Sequence, residues 1–252
     1  ASAMREVKAT RYVTALREGG SLPGLVEADD DGLYVVKFSG AGQGPGALVA
    51  EVVAGQRGRA AGLRVPELVI IGIDPALGHA EPDPEIQELI EASPGINLGM
   101  DFLPGSLPFA LGPGAGFDPD LAADIVFFDA LVTNIDRTPR NPNLLTWHGD
   151  TWLIDHGAAF FRQHGDRPLA GTALLPTPML AEHVLLPVAG SLAEAGERLT
   201  PALEAGIDAA VESVPDEWLG RMPAERRTDF RDFLHNRLDG QDEFIKELED
   251  AR

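Results

Sequence analysis

"NIDRTPRNPNLL" runs from Asn134 to Leu145, and "WLIDHG" follows from Trp152 to Gly157. The first stretch places Asp136 and Asn141 among two prolines, two arginines and three asparagines, and then turns apolar. In front of it lies "DPDLAADIVFFDALVTN" (Asp118 to Asn134). Asp118 is placed to cap a helix, Pro119 suits its first turn, and the body is apolar almost all round, which is the pattern of a buried helix. Behind it, "LLTWHGDTWLIDHG" reads as a hairpin turning at His148-Gly149-Asp150 and ending in an apolar strand that stops at Asp155. A stiffened polar loop therefore leaves a buried helix, and a strand end delivers a second carboxylate close to it in sequence.

Towards the N-terminus the chain changes character. "ATRYVTAL" (Ala9 to Leu16), "LVEA" and "LYVVKF" (Leu33 to Phe38) are short strand-forming runs separated by the Gly, Pro and Asp clusters "REGGSLPG" and "DDDG". After "SGAGQGPG", the stretch "ALVAEVVAGQRGRAAGL" has helical spacing through Leu48, Val52 and Val53, and should end near Gly62. "VPELVIIGI" (Val65 to Ile73) is a β-branched strand, "DPEIQELIEA" (Asp83 to Ala92) a short capped helix, and "LGMDFL" (Leu98 to Leu103) a further strand. The irregular "PGSLPFALGPGAG" then links to sequence that is mostly helical, apart from the hairpin, and that closes with the amphipathic "DEFIKELEDAR". This order predicts an α+β protein of two lobes: residues 1–104 with an antiparallel sheet and one main helix, and residues 105–252 mostly helical.

Composition narrows the function. A chain of 252 residues that is 44% hydrophobic and 24% charged is an ordinary globular sequence. Its formal charge of -20 opposes direct binding to nucleic acid or to an anionic membrane, so a bound polyanion needs a local basic group or a metal. Without cysteine there is no disulfide, thiol nucleophile or zinc-thiolate site. No apolar run is long enough for a membrane span and the first residues lack a signal pattern, from which a cytoplasmic location is expected.

The candidate site residues lie at the edges of these elements. Lys37 sits in "YVVKFSG", in what reads as a central strand, where an ammonium needs an anion; the alternative is a solvated lysine on an edge strand. Glu51, on the following helix, is placed to pair with it. Asp136, Asn141 and Asp155 form a hard-oxygen set of the kind a magnesium-nucleotide site uses, although Asp and Asn also populate loops for backbone reasons alone.

Taken together, D-x-x-x-x-N at Asp136 to Asn141, a hairpin, and then "DHG" at Asp155 to Gly157, with the earlier "VVKF" lysine and a helical glutamate, resemble the protein-kinase-like fold. The form "DR…N…L" with "IDHG" is most similar to HipA-like kinases and, further off, to phosphoinositide kinases. The resemblance covers about residues 9 to 160. It implies an ATP- and Mg²⁺-dependent kinase acting on a protein or small-molecule hydroxyl. By that resemblance, Lys37 contacts the α/β-phosphates and Glu51 holds Lys37. Asp136 acts on the attacking hydroxyl, while Asn141 and Asp155 bind Mg²⁺. "GMDFLPGS" becomes the adenine-reading hinge, with Asp101, Phe102 and Leu103.

The sequence also departs from the pattern. There is no G-x-G-x-x-G, and the phosphate-covering turn falls on Gly19, Gly20 and Ser21. His156 stands in the phenylalanine position of D-F-G, and no A-P-E follows. Arg137 and Arg140 read two ways: as a clamp on a transferred phosphate or acidic acceptor, or, for Arg137, as the partner of a buried carboxylate that holds the loop. Two other functions compete. A metal hydrolase built on His148, Asp150, Asp155, His156 and His164 lacks any H-x-x-x-H pair, and a pseudokinase scaffold would use the fold without catalysis.

Overall fold

A computed structural model describes residues 4–16, 22–112 and 116–252. The turn carrying Gly19, Gly20 and Ser21 lies outside the described residues. The chain forms two compact units, one made of the residues up to Leu48 with Pro66–Gly105, the other of Val49–Val65 with Ser106–Arg252.

The smaller unit is built on β1 (Glu6–Ala15), β2 (Gly24–Ala28), β3 (Leu33–Lys37), β4 (Leu68–Ile73) and β5 (Gly95–Asp101). The expected antiparallel sheet holds for the pairs β1–β2, β2–β3, β3–β5 and β4–β5. It fails at the fifth pair, where Glu6, Val7 and Lys8 lie parallel to Ile70, Ile71 and Gly72 and close the sheet into a barrel in the order β1-β2-β3-β5-β4. The reason lies in β1, whose register against β2 shifts twice, between Ala9 and Arg11 and between Tyr12 and Thr14. Such bulges strengthen twist and bend a strand towards a new neighbour. Alternate residues fill the interior: Val69, Ile71 and Ile73 meet Val7, Val26, Ala28, Tyr34, Val36 and Phe38. Helix α2 (Pro84–Glu91), capped by the Asp83 side chain on the Glu85 N–H, adds Ile86 and Ile90 to this core. A Cβ at Gly24 would lie 2.7 Å from the Tyr12 ring, so a larger residue there would force that ring to shift.

Helix α1 (Pro45–Ala60) starts in the smaller unit and belongs to the larger one from Val49 onward. It ends as the sequence predicts, with Gly62 at φ +86° and the Leu63 N–H closing on the Gly58 carbonyl. Buried Arg57 ties it to the larger unit by donating to the carbonyls of Ala202 and Leu203, and loss of solvent lowers its guanidinium to about 10.

The larger unit packs around α3 (Pro119–Leu131), capped by Asp118 as predicted, with every residue from Ile125 to Leu131 buried. Helices α4 (Leu192–Ala205), α5 (Ile207–Glu212), α6 (Pro223–Asp239) and α7 (Gln241–Ala251) complete it. Phe127 packs on Phe244, and Phe160 on Phe230 and Phe233. The expected linker supplies β6 (Leu107–Pro108), which pairs with the hairpin of β7 (Leu144–Trp147) and β8 (Asp150–Leu153). That hairpin turns on His148 and Gly149, both at positive φ, the two-residue turn whose twist matches the strands. Between Phe161 and Val188 the sequence read as helical forms only short 3-10 turns, because Pro168, Pro176, Pro178 and Pro187 each remove a helical N–H. Among the described residues no helix is long and apolar enough to cross a membrane.

Candidate active site

The larger unit assembles its site where α3 ends. The chain leaves the helix through Thr133 at φ +48°, and the Asn134 N–H closes on the Asp129 carbonyl at 2.8 Å. The loop then makes a second tight turn, in which Thr138 and Asn141 exchange backbone hydrogen bonds across Pro139 and Arg140. This folds the chain back so that the Asn141 carboxamide donates to Asp136 Oδ2 at 2.8 Å. The two residues singled out in the sequence are thus in direct contact, and the prolines serve to fix the turn that joins them.

β8 ends at Leu153, two residues short of where the sequence places the strand end, and Asp155 follows it in a left-handed conformation, φ +56°, which is strained for a residue with a Cβ. Its neighbours impose that pose. The Ile154 N–H donates to the Asn143 carbonyl at 3.0 Å, and the His156 N–H donates to both carboxylate oxygens of Glu51, at 2.9 and 3.0 Å. Strain of this kind persists only where the surroundings over-determine it, and it concentrates at functional sites. Burial, followed by the charge of Asp155, raises the Asp136 carboxyl above its ordinary value, against hydrogen bonds from Asn143 and Asn141 and the charge of Arg137. Asp136, Asn141 and Asp155 therefore share one locality.

These are hard oxygen donors, and two of them repel each other, so a divalent cation suits them. Among the described residues no group of three or more His, Asp or Glu is arranged to hold a metal. A cation here would take few protein ligands and complete its shell with water and phosphate, which is the habit of Mg²⁺.

Beneath the loop is a buried charge cluster that the sequence reading did not assemble. Asp129 is fully buried, and Arg137 Nε lies 2.6 Å from its Oδ2. Arg137 also donates to the carbonyls of Pro142, Asn143 and Ile154. Of the two readings of Arg137, the geometry is that of the buried carboxylate partner, while Arg140 is exposed at the tip of the turn. Asn134 Nδ2 reaches Asp129 Oδ1 at 3.1 Å, and its own Oδ1 accepts from the Asp136 N–H at 3.3 Å. Burial raises Asp129, but Arg137 and His183 outweigh it and hold the carboxyl well below the carboxylate range. The signal was present in the sequence as one aspartate inside "IVFFDAL".

Glu51 is buried on α1, with its carboxylate on the His156 backbone. The His156 ring is fully buried and packs edge-on against Phe128, and its Nδ1 lies 3.4 Å from Glu51 Oε1. In the smaller unit, Lys37 is the last residue of β3, paired with Leu98 of β5, and β3 is a central strand as expected. Asp101 ends β5; its N–H goes to the Glu67 carbonyl and that of Phe102 to the Leu33 carbonyl. Leu103 is buried.

No curated protein matches. The solved structure of a Helicobacter pylori proinflammatory kinase, CtkA, aligns at a TM-score of 0.56 and 15% identity, covering 95% of this chain and 99% of that one, which establishes a shared fold. That of the Golgi casein kinase aligns at 0.43 and 13% identity, covering 96% and 73%. The profile of the HipA-like kinase family matches residues 10–247. With the match spanning nearly the whole sequence, the chain belongs to the HipA-like kinase family.

Proposed function

We propose that this chain is an ATP- and Mg²⁺-dependent kinase, transferring the γ-phosphate of ATP to a hydroxyl of a protein or small-molecule acceptor. The observation that carries the reading is the convergence of Asp136, Asn141 and a strained Asp155 on one locality of the larger unit. Asn141 and Asp155 would hold Mg²⁺, which supplies charge neutralisation to the transferred phosphoryl group. The remaining roles belong to the chain. Asp136 accepts the proton of the attacking hydroxyl at its carboxylate, a task for which a raised pKa makes it a better base. Lys37 binds the α/β-phosphates, and Asp101, Phe102 and Leu103 form the adenine-reading hinge, with Leu103 as donor because the N–H groups of Asp101 and Phe102 serve backbone carbonyls. Glu51 orients Lys37 in this reading, and its contact with His156 gives it a second duty towards Asp155. Gly19, Gly20 and Ser21 are assigned to the phosphate-covering turn. Arg137 acts by holding the loop through Asp129. Residues 1–104 would serve as the nucleotide-binding lobe and 105–252 as the catalytic lobe.

A calorimetric titration with ATP, with and without Mg²⁺, on wild type and Asp155→Ala tests the reading. Magnesium-dependent binding that Asp155→Ala abolishes is expected. Absence of binding by the wild type would instead favour a non-catalytic scaffold.

A further inference from the structure

We propose that His183 is a positioning residue of the phosphotransfer loop, acting through Asp129 on the backbone at Asp136; this rests on the kinase reading above. His183 lies between two 3-10 turns, Pro178–Glu182 and Leu186–Val188, far along the chain from the loop. Its ring is buried, with Nε2 2.7 Å from Asp129 Oδ2 and Nδ1 accepting from the Leu185 N–H at 3.1 Å. Because Nδ1 accepts, the ring proton sits on Nε2 and is given to Asp129.

The next residue makes a second connection. The Val184 N–H donates to the Arg137 carbonyl at 3.0 Å, so the same turn grips the loop one residue beyond Asp136. Asp129 in turn holds the Arg137 guanidinium and the Asn134 carboxamide, and Asn134 accepts from the Asp136 N–H. His183 thus closes a ring of hydrogen bonds around the residue proposed as base. Why a histidine occupies this place follows from charge. Arg137 already neutralises Asp129, so the remaining lone pair of Oδ2 needs a donor that brings no second cation into a buried site. A neutral imidazole meets that need and, through Nδ1, fixes its own turn.

A role in positioning differs from a role in stability alone, and two substitutions separate them. His183→Leu keeps similar bulk and removes the donor. His183→Gln restores a donor near the Nε2 position. On the full chain, hydrogen–deuterium exchange and Mg²⁺-ATP turnover, read as ADP formation, are measured for both. His183→Leu is expected to speed exchange across residues 133–143 while α4 to α7 keep wild-type protection. It is also expected to lower kcat by about 10- to 100-fold, the cost of displacing a reacting group by a fraction of an ångström, with KM for ATP within about 3-fold. His183→Gln is expected to recover most of both. Unchanged exchange in the loop, equal losses in the two variants, or a uniform rise in exchange over all the helices would overturn the proposal. Should His183→Leu not fold, His183→Asn, too short to reach Asp129, takes its place in the comparison. If the wild type neither binds nor turns over Mg²⁺-ATP, the kinase reading fails, and loop exchange alone decides the role of His183.

Discussion

Replacing Asp129 by Asn isolates the buried charge beneath the loop. The change is nearly isosteric, yet it leaves the Arg137 guanidinium buried without a counter-charge. Breaking a buried ion pair by removing one partner costs about 3–5 kcal/mol. The lower half of that range is expected, since Arg137 keeps its bonds to the Pro142, Asn143 and Ile154 carbonyls and the new amide oxygen can still accept from His183. For a protein of this size the whole range corresponds to a fall in Tm of about 6–20 °C. The assay has a natural probe: Trp147, Trp152 and Trp218 are the three tryptophans of the chain and all lie in the larger unit, so their fluorescence follows that unit's unfolding. The pH dependence gives a second check. Asp129 titrates lower in the folded state than in the unfolded one, so its stabilisation is fully present above the unfolded value of about 4 and is lost as the pH falls below it. The gap between wild type and Asp129→Asn should therefore narrow in acid. A Tm within about 2 °C of wild type at pH 7, or a gap that widens in acid, would refute the reasoning.

Asp136 is raised partly by the charge of Asp155, so in Asp155→Asn its carboxyl should titrate at lower pH than in wild type, as followed by carbon NMR; an unchanged titration would mean that the two carboxylates do not interact. Glu51→Ala orphans the buried His156 N–H at a cost of about 1–3 kcal/mol, and faster exchange of the His156 amide should report it, with Glu51→Gln milder because it keeps one oxygen. Lys37→Ala should leave the chain folded and reduce phosphotransfer by about 10²- to 10³-fold, in line with removal of one donor to developing charge; full activity would remove Lys37 from the mechanism.

The elements most legible in the sequence were those with local signals. Asp118 and Pro119 announced α3, Gly62 announced the end of α1, and His148-Gly149 announced the hairpin, each through backbone chemistry confined to a few residues. The loop around Asp136 and Asn141 was legible for the same reason. What escaped depends on partners distant in sequence. The parallel pairing of β1 with β4 is set by bulges that leave no compositional trace, and His183 meets Asp129 across 54 residues with no motif around it. Glu51 was readable as a candidate partner of Lys37, but not its burial or the backbone N–H of His156 that it holds, because a main-chain donor carries no identity in the sequence.

The parallel seam of the barrel has a further consequence. It joins only Glu6, Val7 and Lys8 to Ile70, Ile71 and Gly72, and it is fastened from outside by half-exposed Arg5 on Glu67 and Asp30, contacts that each contribute about 0–1 kcal/mol. The barrel's weakest joint is thus made by some of its earliest residues. When those residues fray, β4 becomes a bare edge rich in isoleucine, the kind of template on which strands from other molecules assemble. Trimming the chain to begin at Ala9 would therefore turn a self-contained barrel into an open sheet prone to pairing with its own kind, with every residue of the candidate active site still in place.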